Sequence, residues 1–211
     1  GSGKSVTLRQ LNGLESPDQG RVVFDGQDIS GLSEQELYPV RRRVAMLFQS
    51  GALFDSMTVA ENVGFPLAEH TDLGAAAIAA KVAEKLATVR LAGIEEQMPA
   101  DLSGGMKKRV ALARSLALEP EVVLYDEPTS GLDPMTSATI GSLIAQTKED
   151  LGVTSVVVSH DVPLARAIAD RVAFLHRGRF EFLGTWEEAE NEGDTLFRSF
   201  LAGQAEEEHA A

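Results

Sequence analysis

The sequence predicts an α/β fold with a largely parallel sheet, and three observations carry that reading. Short β-rich runs alternate with longer amphipathic stretches along the chain. Val122-Val123-Leu124 and Val156-Val157-Val158 are apolar at consecutive positions, as in central strands covered by helices on both faces. The composition, 44% hydrophobic and 24% charged over 211 residues, suits one domain with a sizeable core and excludes a disordered or collagen-like chain.

Strands are expected at Arg21 to Phe24, Val44 to Phe48, Val122 to Tyr125, Ser155 to Ser159 and Val172 to His176. Helices are expected at Ser5 to Leu11, Ala75 to Val89, Gly105 to Ala117, Met135 to Asp150, stopped by Gly152, and Pro163 to Ala169. Arg177-Gly178 joins Val172–His176 to Phe180–Leu183 as a tight hairpin, so the sheet should end in an antiparallel pair. Thr185 and Glu188 form a capping box for a last helix carrying Phe197, Phe200 and Leu201, followed by an acidic tail that includes Glu206 to Glu208.

With 19 Lys and Arg against 32 Asp and Glu, the net charge of −13 repels a phosphate backbone, so no nucleic-acid partner is expected. The absence of cysteine excludes disulfides and thiolate metal sites. No unbroken apolar run reaches the roughly 18 residues that cross a bilayer. The opening Gly1-Ser2 lacks both a starting Met and the build of a signal peptide, and reads as the start of a fragment.

Gly1-Ser2-Gly3-Lys4-Ser5 before an apolar helix matches the second half of the phosphate-binding pattern G-x-x-x-x-G-K-[ST]. Bare glycine N–H groups would approach phosphate oxygens, Lys4 would reach the β- and γ-phosphates and Ser5 would ligate Mg²⁺. Alone, the segment also suits a flexible Gly/Ser linker. Val122 to Glu127 is an apolar strand ending in two carboxylates, where ligands of open α/β sheets bind. Asp126 is placed for Mg²⁺ and Glu127 for orienting an attacking water; taken by itself the pair is equally a solvated strand end. Ser103, Gly104 and Gly105 before Met106 offer a hydroxyl and N–H donors at a helix N-terminus, or simply cap that helix.

In this order and spacing the motifs resemble the nucleotide-binding subunit of an ATP-binding cassette (ABC) transporter. The half phosphate loop corresponds to Walker A, Gln49 to the Q-loop, Leu102 to Met106 to the signature, Val122 to Glu127 to Walker B, Ser130 to Asp133 to the D-loop and His160 to the H-loop. The resemblance implies a P-loop NTPase of the RecA-like kind that lacks its N-terminal strands, with residues 52–108 as an inserted helical subdomain hinged at the Q-loop. It also implies ATP and Mg²⁺ as cofactors, with Ser5, Gln49 and Asp126 at the metal, Glu127, His160 and Gln49 in catalysis, and His160 sensing the γ-phosphate. Subunits of this family pair head to tail, so Ser103, Gly104 and Gly105 would complete the nucleotide site of a second copy, and the resemblance also implies Asp133 as a nucleotide-binding residue. Met106 stands where the commonest signature has Gln.

Gln49-Ser50-Gly51-Ala52-Leu53-Phe54, Met57-Thr58-Val59 and Glu61 to Leu67 further resemble the branch serving Mla/Mce-type lipid transport, in which Met106 is usual. That branch implies an integral membrane permease, an MCE-domain substrate-binding protein and a place on the cytoplasmic face of the bacterial inner membrane, peripheral through the permease. Leu53-Phe54 and Phe65-Pro66-Leu67 would form a groove for a permease helix, or simply pack the helical region. The alternatives are an importer ATPase for a polar solute such as an amino acid, a soluble ABC ATPase acting on DNA or ribosomes, and a non-catalytic interaction subunit. The branch motifs weigh against the first. The second lacks a basic surface or coiled coil, and the third is opposed by the presence of Lys4, Asp126 and Glu127. His70 and His209 read as solvated, and Trp186 as a packing anchor for the last helix.

Overall fold

Three parallel strands in the order β3-β4-β5 carry the site: β3 (Val44–Leu47), β4 (Val122–Asp126) and β5 (Thr154–Val158). They come from a computed structural model that describes residues 2–192 together with Phe197, Phe200 and Leu201. Leu47 pairs with Tyr125 and Asp126 with Val158, so the segments after the three strands leave the same end of the sheet. Val123, Leu124 and Tyr125 are all fully buried, as expected of a central strand covered on both faces. Val156, Val157 and Val158 are only half-buried, because β5 is an outer strand of this sheet.

The chain divides into two compact units, Ser5–Ser159 and Gly1–Lys4 with His160–Ala211. Helix α1 (Lys4–Leu11), which from Ser5 onward belongs to the larger unit, precedes a hairpin of β1 (Val23–Phe24) and β2 (Gln27–Asp28), paired antiparallel. The strand expected over 21–24 is therefore shorter, and it turns back at Asp25-Gly26, both left-handed with φ of 50° and 78°. Val22 still accepts a hydrogen bond from the Ile29 N–H at 2.9 Å. Helix α2 (Glu34–Arg43), absent from the sequence reading, opens on a Ser33–Glu36 capping box. Its Leu37 and Val40 bury against Leu8, Ile29, Val44 and Leu124.

Between β3 and β4 the helices α3 (Val59–His70), α4 (Ala75–Thr88) and α5 (Gly104–Ser115) pack on one another. Helix α3, also unanticipated as an element, starts from a Thr58–Glu61 capping box. Gly64 lets α3 and α4 close: a Cβ there would lie 3.1 Å from Ile78 Cγ2 and 3.3 Å from Val82 Cγ2. Helix α6 (Pro134–Leu151) ends at Gly152, left-handed with φ of 65°, as its position after the apolar pattern predicts.

In the smaller unit α7 (Val162–Ile168) is followed by β6 (Val172–His176) and β7 (Arg179–Gly184), joined through left-handed Arg177 and Gly178. This pair is a two-stranded sheet of its own, not the end of the parallel sheet. Helix α8 (Trp186–Glu192) begins at the reciprocal Thr185–Glu188 capping box. Trp186 anchors it as expected, donating from Nε1 to the Ala169 carbonyl at 3.2 Å while the Arg166 guanidinium stacks on its ring. Phe197 is buried against Phe174 and Phe182, with ring centroids 4.7 and 5.1 Å away. Glu206 to Glu208 and His209 lie outside the described residues.

Candidate active site

Ser5, the last residue of the phosphate-loop motif, meets the acidic strand end. The Ser5 hydroxyl donates to Asp126 Oδ1 at 2.9 Å, across 121 positions of sequence. Ser5 is held by the first turn of α1 and Asp126 by the last residue of β4, where it is 7% exposed. Gly3, just before the helix, has φ of 96°, a conformation that favours glycine. Gly1 lies outside the described residues; Ser2 is half-buried. Lys4 opens α1 and His160 follows β5 by two residues, both within the smaller compact unit.

Glu127, next to Asp126, is half-buried and left-handed, with φ of 46°. Few non-glycine residues adopt this conformation unless their surroundings enforce it. Here the Glu127 N–H donates to the Val158 carbonyl at 2.9 Å, and the Glu127 carbonyl accepts from the Ser130 N–H at 3.1 Å. The adjacent strand and the following turn thus hold the backbone that aims this carboxylate.

Gln49, exposed just beyond β3, donates from its side-chain amide to the Ser130 hydroxyl at 3.2 Å. The Q-loop candidate therefore touches the first residue of the predicted D-loop. Lys108, on α5, is 7% exposed and donates from Nζ to the carbonyls of Gln49 and, at 3.5 Å, Glu127. Burial pushes its ammonium below the ordinary lysine value, while the charges of Asp126 and Glu127 pull it back up. Sequence reasoning assigned Lys108 no site role. A signal was present: it shares the helical face of buried Ala111 and Leu112, an unusual place for a lysine.

Ser103 caps α5, its hydroxyl accepting from the Met106 N–H at 3.3 Å. Exposed Gly104 follows it, and Gly105 is buried, where a Cβ would sit 2.4 Å from Thr136 Cγ2. Asp133 caps α6, accepting from the N–H groups of Met135 and Thr136 at 3.0 Å and from the Thr136 hydroxyl at 2.5 Å. The Thr136 contacts hold its carboxyl below the ordinary value. Glycine at 105 thus lets the start of α5 approach the start of α6 closely, which brings the predicted signature and D-loop segments of one chain together.

The donors around Ser5 and Asp126 are a hydroxyl and a carboxylate, hard oxygen ligands that fit Mg²⁺. Among the described residues no three or more His, Cys, Asp or Glu side chains gather as a metal cluster. Nor is any described helix long and apolar enough to cross a membrane.

A helix after a glycine turn, with its hydroxyl set on the acidic end of a strand in a parallel sheet, is the architecture of the P-loop NTPase fold. The ABC transporter family matches residues 1–130. The chain is 45% identical over 206 residues to the intermembrane phospholipid transport system ATP-binding protein MlaF of Escherichia coli K12, a match covering 98% of this chain and 77% of that protein. It is 42% identical to the ATP-binding protein mkl of Mycobacterium tuberculosis, named for ribonucleotide transport, covering 97% of this chain and 57% of that one. The fold matches the dimeric post-hydrolysis ATP-binding cassette MJ0796 bound to ADP and Pi, with a TM-score of 0.80 and 34% identity, covering 87% of this chain and 81% of that one. This chain belongs to the ATP-binding subunits of ABC transporters, and it is an ATPase of that family.

Proposed function

We propose that the chain powers transport of phospholipids or related hydrophobic molecules between membranes of a bacterial envelope. The observation that carries this reading is its 45% identity, over 98% of its length, to a phospholipid-transport ATP-binding protein. In this reading it sits on the cytoplasmic face of the inner membrane through an integral permease, with an MCE-domain protein delivering substrate. Residues 52–108 form the helical subdomain that meets the permease. Phe54, 41% exposed with its ring 5.0 Å from that of Phe65, supplies part of the apolar surface for that contact.

Ser5, Asp126 and Gln49 would hold Mg²⁺, which would offset the charge of the phosphates when bound. Gly3 and Lys4, with Gly1 and Ser2, would bind the phosphates; Glu127 would orient the attacking water and His160 would contact the γ-phosphate. Ser103, Gly104, Gly105 and Asp133 would serve the nucleotide of a second copy in a head-to-tail dimer. The Ser5–Asp126 contact and the enforced backbone of Glu127 support these roles.

Purification of the full-length protein from detergent-solubilised membranes, with mass spectrometry of bound proteins and lipids, tests the transport reading. An MCE-domain protein carrying phospholipid is expected. A periplasmic solute-binding protein instead would favour the polar-solute reading, which the name of the mycobacterial relative supports.

A further inference from the structure

Lys108 is a lysine where the apolar face of α5 should be, and its three donors reach two main-chain oxygens that belong to different loops. One is the carbonyl of Gln49, beyond β3; the other is the carbonyl of Glu127, beyond β4. A buried ammonium is costly unless hydrogen-bonded or faced by opposite charge, and here it has both kinds of support, with Asp126 and Glu127 as the nearby carboxylates. The Glu127 carbonyl also accepts from the Ser130 N–H, and Ser130 in turn accepts from the Gln49 side chain. Gln49, Glu127 and Ser130 therefore close a ring of contacts that Lys108 completes with its ammonium. Because Lys108 is the fifth residue of α5, any displacement of that helix is felt at both carbonyls.

We propose that Lys108 is a positioning residue for ATP hydrolysis: its ammonium gathers the main chains of Gln49 and Glu127, keeps Glu127 in its left-handed conformation, and so ties the placement of the hydrolytic carboxylate to the helix that follows the signature. The proposal rests on the roles given above to Glu127 and Gln49. Lys108 acts through these carbonyls, to which its ammonium donates. Lys108→Met preserves length and apolar packing and deletes every donor, so the two loops lose their common anchor.

The test uses the full-length protein in its transporter complex, comparing K108M, E127Q and K108M/E127Q by steady-state ATP hydrolysis, ATP binding and thermal melting. K108M is expected to lower kcat about tenfold or more with KM changed less than about threefold, and K108M/E127Q to bind ATP as tightly as E127Q. A K108M enzyme within about twofold of wild-type kcat, or one whose ATP affinity falls in step with kcat, overturns the proposal. If K108M melts more than about 10 °C below the wild type, K108L, which also lacks every donor, replaces it under the same thresholds. Undiminished hydrolysis by E127Q removes the role of Glu127 itself; an inactive E127Q beside a wild-type-like K108M removes only that of Lys108.

Discussion

Asn62 and Phe54 hold each other reciprocally: the Phe54 N–H donates to Asn62 Oδ1 at 2.8 Å, and Asn62 Nδ2 donates back to the Phe54 carbonyl at 3.0 Å. The same amide donates to the carbonyls of Met57 and Thr58, both at 3.0 Å, so one fully buried side chain organises the whole turn before α3. Asn62→Ala would strand several of these groups without partners. A loss of about 2–3 kcal/mol is expected, read from urea unfolding, and Asn62→Asp should cost at least as much because it removes the donors.

The close approach of α5 and α6 gives a paired prediction. Gly105→Ala would drive a methyl group into Thr136 Cγ2 and is expected to destabilise the fold by about 1–3 kcal/mol. Thr136→Ser removes that methyl and keeps the hydroxyl that donates to Asp133. The double variant should recover most of the loss in a double-mutant cycle; additive losses would contradict the contact.

Lys85 is 2% exposed, with Nζ at 2.8 Å from Glu84 and 3.3 Å from Glu119, and Glu119 also pairs with Lys81 at 2.8 Å. The Lys81 hydrogen bond and then the Lys85 charge hold the Glu119 carboxyl below its ordinary value of 4.5. With the folded value depressed, this stabilisation is complete above the ordinary value and fades as pH falls through the lowered one. Glu119→Gln should therefore cost up to about 1 kcal/mol at neutral pH, and the gap to the wild type should close in acid, as followed by denaturant melts across pH. Lys85→Met should stay within about 1 kcal/mol of the wild type, since it removes a buried charge while filling its volume.

Ser5→Ala deletes the hydroxyl that meets Asp126. ATP hydrolysis is expected to fall roughly tenfold or more and to need more Mg²⁺, whereas Ser5→Thr retains the oxygen and should keep most activity. A Mg²⁺ titration of steady-state hydrolysis decides this; an S5A protein with unchanged Mg²⁺ dependence would remove Ser5 from the metal site.

Much of the fold was legible because the apolar runs at 122–124 and 156–158 and the glycine stops obey local rules. Helices α2 and α3 were not, although Ser33 with Glu36 and Thr58 with Glu61 have the capping-box spacing. Pro39 lies inside α2, and Gly64 and Pro66 inside α3, where they break the periodicity that reveals a helix. The Asp25-Gly26 turn was also readable as a dipeptide, but only pairing with Gln27–Asp28 makes it a hairpin. Motif order located Ser5 and Asp126; their hydrogen bond, the Gln49–Ser130 contact and the reach of Lys108 depend on packing between distant segments, which no local pattern encodes.

The parallel register of β3, β4 and β5 also sets where the chain can lengthen. Side chains of a strand alternate between faces, so one extra residue within 122–125 would send the Asp126 carboxylate to the opposite face and strip Ser5 of its acceptor. The exposed turn at Asp18 to Gly20 has no such parity to keep. Single-residue insertions scanned through this ATPase should thus be silent in that turn and lethal to hydrolysis in β4, so that sheet geometry sets where length can vary.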